Sequence, residues 1–191
     1  MIDIALKTVR DDIQVFLNLK AQSGSMENKI ILSPIADSGS NPMVENALSM
    51  SLMKIEEERI NTNHRRITEK REGCVAYYNP PIKLNLYILF AAQFNDYLES
   101  LKFISHTISF FQVKPVFTSN NTPTLDPSIG KLSFEIFDQS LQDLSYLWGM
   151  VGTSYIPSVL YKMRMLVIQE EQVVAKGLIT SNTKSEVESI S

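Results

Sequence analysis

Residues 78–93 read YNPPIKLNLYILFAAQ, and this stretch decides the fold. The pair Pro80-Pro81 is a rigid corner. Proline fixes φ and donates no backbone hydrogen bond, so it suits the entrance of a strand and not its interior. From Ile82 onward the side chains alternate. Ile82, Leu84, Leu86, Ile88 and Phe90 point one way, and Lys83, Asn85, Tyr87 and Leu89 point the other. A period of two with one wholly apolar face and one half-polar face predicts a central strand of a packed sheet.

Apolar spacing places the other elements around this strand. Leu6, Val9, Ile13, Phe16 and Leu17 recur at threes and fours, predicting an amphipathic helix over 3–20 that ends before Ser23-Gly24-Ser25. The short apolar run Ile30-Ile31-Leu32 stops at Pro34, and a Gly/Ser/Asn loop follows over 37–41. Residues 47–58 predict a strand whose alternation (Leu48, Met50, Leu52) slips to Met53 and Ile55, as a β-bulge near Leu52 would cause. Asn95, with Asp96 behind it, is the expected cap of a helix running to about Gln112, before Pro115.

Lys131–Phe137 predicts a short strand. Ser140 with Asp143 matches a capping box that opens a helix carrying Leu141, Leu144, Leu147 and Trp148, ended by Gly149 and Gly152. A last strand follows Pro157, with Val159, Tyr161, Met163, Met165 and Val167 opposed to Ser158, Leu160, Lys162, Arg164 and Leu166. Trp148 and Tyr161 are expected to pack near the sheet. The whole predicts an α+β domain over 1–175: an antiparallel or mixed sheet with helices against one face. Residues 176–191 read as a mobile tail.

Composition narrows the function. At 191 residues the chain fits one domain, and 44% hydrophobic content suffices for a core. A net charge of −3 argues against a general nucleic-acid binder, which is usually basic. The N-terminus has no apolar h-region of a secretory signal, and no apolar run approaches the roughly 20 residues of a spanning helix. The chain is therefore expected to be soluble, with no membrane insertion. One cysteine, Cys74, suits a reducing compartment and permits no internal disulfide.

No pattern of catalytic chemistry emerges. Nucleophile elbows, dinucleotide fingerprints and phosphate loops are missing from the sequence. His64 and His106 have neither cysteines nor a second histidine at metal-ligand spacing, so neither metal nor cofactor is expected. Along a strand, Glu56 and Glu58 share a face while Glu57 opposes them, and no second acid can be placed for acid–base work. Two groups invite an interface reading. One is the aromatic run Tyr146-Leu147-Trp148-Gly149 with Tyr155-Ile156-Pro157-Ser158. The other is the basic pair Lys162 and Arg164 on the last strand. Residues 56–72, EEERINTNHRRITEKRE, read either as a solvated hairpin or loop, or as an arm meeting a charged partner.

Three ordered motifs, EEER at 56–59, NPPIKLNLYILFAA at 79–92 and LWGMVGTSYIPSVLYKMRML at 147–166, carry a family resemblance, with YLESLKFISHTISFFQVKPVF at 97–117 between them. Over roughly residues 5–168 the chain resembles the N-terminal domain of cap, or tail-terminator, proteins of contractile injection systems of the antifeeding-prophage and virulence-cassette type. The resemblance implies a non-enzymatic subunit of a homo-oligomeric, sixfold ring on the end of the inner tube and sheath. Such a ring stops polymerisation and holds the last sheath ring. The implied partners are the inner tube protein and the sheath protein. Assembly is implied in the bacterial cytoplasm, in a particle later released or anchored. The implied interface residues are Glu57, Arg59, Arg65, Arg66 and Arg71 of the charged arm, with Lys162 and Arg164. Another tail-particle adaptor, or a small-molecule-binding α+β domain, are the alternatives.

Overall fold

The computed structural model describes residues 1–20, 29–35, 46–58, 67–71, 74–78, 82–152, 154–167 and 175–178, the three short strands at 67–71, 74–78 and 175–178 by their backbone. The alternating stretch forms β5 (Ile82–Gln93), at the middle of a six-stranded sheet. Antiparallel neighbours flank it: β2 (Ala47–Glu57) on one side and β8 (Ser158–Val167) on the other. Beyond β8 lie β7 (Ile129–Ile136) and the two-residue β6 (Val116–Phe117), also antiparallel. β1 (Ile30–Leu32) closes the far edge parallel to β2, so the sheet is mixed. The short edge strands offer few free ladder groups, a common device against edge-to-edge pairing.

One face of the sheet carries the larger core. Leu86, Ile88, Phe90 and Ala92 of β5 are buried there, as the alternation requires. Two helices cover them: α1 (Ile2–Lys20) with Val9, Ile13 and Leu17, and α2 (Tyr97–Val113) with Phe103, Phe110 and Phe111. Rings fill the layer. Phe111 stacks on Phe134 at 4.4 Å and lies 4.5 Å from Tyr161, and Phe94 stacks on Phe103 at 4.2 Å. Each such large side chain contributes about 1.5–3 kcal/mol by burial alone. Burial also pushes the Tyr161 phenol up to about 12, so it stays neutral. Lys114 ties the layer together, pairing with Asp12 of α1 at 2.6 Å and lying 4.7 Å over the Phe117 ring.

Helices cover both faces, a correction to the expectation of one. α3 (Leu141–Val151) lies across the opposite face, where Trp148 packs with Ile35, Leu89, Ala91 and Leu160 in a second, smaller core. Trp148 and Tyr161 are both buried, but on opposite faces. Apolar residues occur all round α3, so its sequence pattern selects no side of the sheet. The capping box of Ser140 and Asp143 forms as expected. α3 runs through Gly149 and stops at Gly152, whose φ of 74° is left-handed and favours glycine.

Two further boundaries differ. Asp96, not Asn95, caps α2: its carboxylate accepts the Leu98 N–H at 3.0 Å, while the Asn95 N–H donates to the Asn46 side chain. A separate three-stranded sheet, β3 (Ile67–Arg71), β4 (Cys74–Tyr78) and β9 (Ala175–Leu178), also appears, with β4 central and both pairings antiparallel. The charged arm thus includes one strand of a hairpin. β9 extends three residues into the segment expected to be tail, and residues 179–191 lie outside the described residues.

Candidate assembly interface

α3 packs over part of the second face of the sheet, and the bulge in β2 determines what stands beside it. Leu52 pairs with Ile88, then Lys54 pairs with Tyr87, leaving Met53 as the extra residue. A regular strand would turn Lys54 and Glu56 toward the large core and Met53 and Ile55 away from it. The extra residue restores the phase, so Lys54 and Glu56 flank Tyr87 and Asn85 on the second face.

Strand register then builds two adjacent rows across this face. Lys54, Tyr87, Lys162 and Glu135 stand in line, and beside them stand Glu56, Asn85, Arg164 and Ser133. Tyr87 is the hub. Its hydroxyl donates to Glu56 at 3.1 Å, and Lys54 reaches the same carboxylate oxygen at 3.0 Å. The Lys54 and Lys162 ammonium groups lie 5.2 and 6.0 Å from the Tyr87 ring, within cation–π range, and Phe137 meets it edge-on at 5.0 Å. Arg164 pairs with Glu135 at 2.9 Å.

Titration follows these contacts. The hydrogen bond from Lys54, then that from Tyr87, holds the Glu56 carboxyl below its ordinary value. The bond to Glu56 raises the Lys54 ammonium. Desolvation first, and the bond to Glu56 second, push the Tyr87 phenol up. All three groups therefore keep their charge states through neutral pH. The rows form an ordered, charged surface whose geometry suits recognition better than proton transfer.

Next to these rows, α3 is weakly embedded. Trp148 is its one fully buried residue, whereas Leu141, Tyr146 and Met150 are 86%, 67% and 75% exposed. Leu141, Leu144, Ser145, Trp148, Gly149, Gly152 and Tyr155 line a groove of about 520 Å³. Beneath α3 the buried Ser49 and Ser158 hydroxyls and the Trp148 indole nitrogen have no hydrogen-bond partner among the described residues. Exposed aromatics and Met beside ordered cations match the composition of protein interfaces.

Of the residues singled out in the sequence, Lys162 and Arg164 meet on the charged rows, next to the α3 aromatics. Glu57 pairs with Leu84 and belongs to the opposite face of β2. Arg71 ends β3 opposite Cys74. Arg59, Arg65 and Arg66, together with His64, lie outside the described residues. Sequence reasoning missed Tyr87, Glu56 and Glu135. Their grouping depends on cross-strand register, although Tyr87 stands out as an aromatic on the half-polar face of β5. Among the described residues, no group of three or more His, Cys, Asp and Glu could hold a metal ion. No helix among them is long and apolar enough to cross a membrane.

A mixed sheet between two helices on one face and a third on the other, with an ordered charged surface beside that third helix, defines an α+β domain. The family model for the Pvc16 N-terminal domain matches residues 8–182, and the chain belongs to that family. No curated protein sequence matches it. Two solved structures share its fold. A sheath/tube terminator of an extracellular contractile injection system, PVC, in the extended state, aligns with a TM-score of 0.62 at 12% identity, covering 100% of this chain and 64% of that one. The anti-feeding prophage cap, a tube-terminating cap, aligns with a TM-score of 0.60 at 12% identity, covering 100% of this chain and 60% of that one. This chain therefore spans less than two thirds of the length of either.

Proposed function

We propose that this chain is a structural, non-enzymatic terminator of a contractile injection particle. It caps the end of the inner tube, stops polymerisation and anchors the last sheath ring. The observation that carries the reading is a fold shared along the whole chain with two terminators, joined to membership of the Pvc16 N-terminal domain family. The subunit acts within a cyclic homo-oligomer, a hexamer. Cyclic closure uses two different complementary surfaces on each copy.

The charged rows bearing Lys162 and Arg164 face the tube or sheath. Glu57, Arg59, Arg65, Arg66 and Arg71 of the charged arm supply further contacts. Assembly takes place in the bacterial cytoplasm, before any release of the particle. Residues 1–175 with the rest of β9 form the capping domain.

The test uses polymerising tube protein. Adding the purified chain is expected to shorten the tubes in proportion to dose, with label at one end only. Tubes of unchanged length, or label spread along their walls, would refute the reading. Label at the baseplate end would identify an adaptor instead.

A further inference from the structure

Four enclosed polar atoms gather at one place beneath α3. Ser49 and Ser158 both stand opposite Ala91, one on each side, because β2 and β8 pair with β5 at that residue. Alternation puts all three on the second face, with Gln93 two residues further along β5 and Ala47 opposite it. Trp148 reaches from α3 into the cluster that contains Ala91. The Ser49 and Ser158 hydroxyls, the Gln93 side-chain oxygen and the Trp148 indole nitrogen are all buried, and none has a hydrogen-bond partner among the described residues. A fifth such atom, on Asn85, lies toward the other end of β5.

Buried polar groups are nearly always bonded, so four orphans at adjacent positions call for a shared partner. Their chemistry says what kind. The indole N–H only donates, the amide oxygen only accepts, and each hydroxyl does both. The serines stand two strand spacings apart, roughly 10 Å between backbones, so their hydroxyls cannot bond each other. Between them lies only the methyl group of Ala91, and Ala47 is equally small. Space ringed by several polar groups holds water, whereas an apolar void stays dry.

We infer that internal water occupies this niche between α3 and the sheet. It accepts from the Trp148 indole N–H and donates toward the serine hydroxyls and the Gln93 oxygen. Ser49 is wholly buried and Trp148 is 4% exposed, so the ligand is enclosed. The water also explains how a helix with one buried side chain sits over a polar floor: it is joined to the sheet by a solvent bridge as well as by Trp148. The inference is independent of the capping role.

Nuclear magnetic resonance of the full chain tests it. Trp148 is the only tryptophan, so isotope-labelled tryptophan gives a single indole N–H signal. That proton is expected to show a cross-peak to water, with NOE and ROE of opposite sign, as a long-lived contact produces. No such cross-peak would mean that the N–H is dry or bonded within the protein, and would overturn the inference.

A serine hydroxyl beside the indole could carry the same signal, and variants separate the two. Ser49→Ala and Ser158→Ala each leave the water its other partners, so the cross-peak is expected to persist in both. Its loss in either one would identify a hydroxyl and overturn the inference. Ala91→Val fills the space between the serines while keeping both hydroxyls, and is expected to abolish the cross-peak. Persistence there would equally count against the water. If Ala91→Val fails to fold, the wild-type chain and the serine variants still decide.

Discussion

Trp148 shows how one residue can hold an element. It is the only fully buried side chain of α3, and it packs on Leu89, Ala91 and Leu160. Trp148→Ala is expected to cost about 3–5 kcal/mol, read as a lowered denaturant midpoint. Unchanged stability would mean that α3 docks by other contacts. His106 gives a second test at this scale. Burial foremost, then Lys20 and Lys102, hold its imidazole below the ordinary 6.5 in the folded chain. The unfolded chain therefore binds a proton near pH 6.5 that the folded chain still refuses. Stability from this group is full above that pH and declines as pH falls through it toward the folded value. His106→Gln is expected to flatten the pH dependence of the melting temperature between about pH 7 and pH 5 relative to wild type. An identical slope in the two proteins would refute the assignment.

At the scale of elements, the bulge in β2 makes an unusual deletion tolerable. Removing Met53 restores regular alternation and leaves Lys54 opposite Tyr87, so that variant is expected to fold at a cost within about 2 kcal/mol. Removing Ile55 turns Glu56 toward the large core and is expected to cost more, which thermal unfolding of the pair would rank. Much at this scale was legible in the sequence: β5 from its period of two, α1 from its apolar stripe, the bulge from the phase slip at Leu52, and the capping box from Ser140 and Asp143. The side occupied by α3 was not, because a helix apolar all round points nowhere. Nor were β3, β4 and β9, since strands of four or five residues depend on their partners more than on their own pattern. At the interface, Lys162 and Arg164 stood out as a basic pair on one strand. Glu56 and Tyr87 are 31 residues apart and became neighbours only through register.

For the whole molecule, two cores share one sheet. Phe111 belongs to the larger and Trp148 to the smaller, in separate clusters on opposite faces. Phe111→Ala and Trp148→Ala are expected to add within about 0.5 kcal/mol in the double variant, as distant sites do, and a larger coupling would mean that the faces communicate through the strands. This arrangement gives the sheet a different surface on each side. The proposed capping role belongs to the molecule as a whole. Electron microscopy of particles assembled with and without the chain, recording tube length and sheath state, tests it most directly. Overlong or sheathless tubes are expected without the chain, and restored particles when it is supplied again. Particles of normal length with intact sheaths in its absence would contradict it.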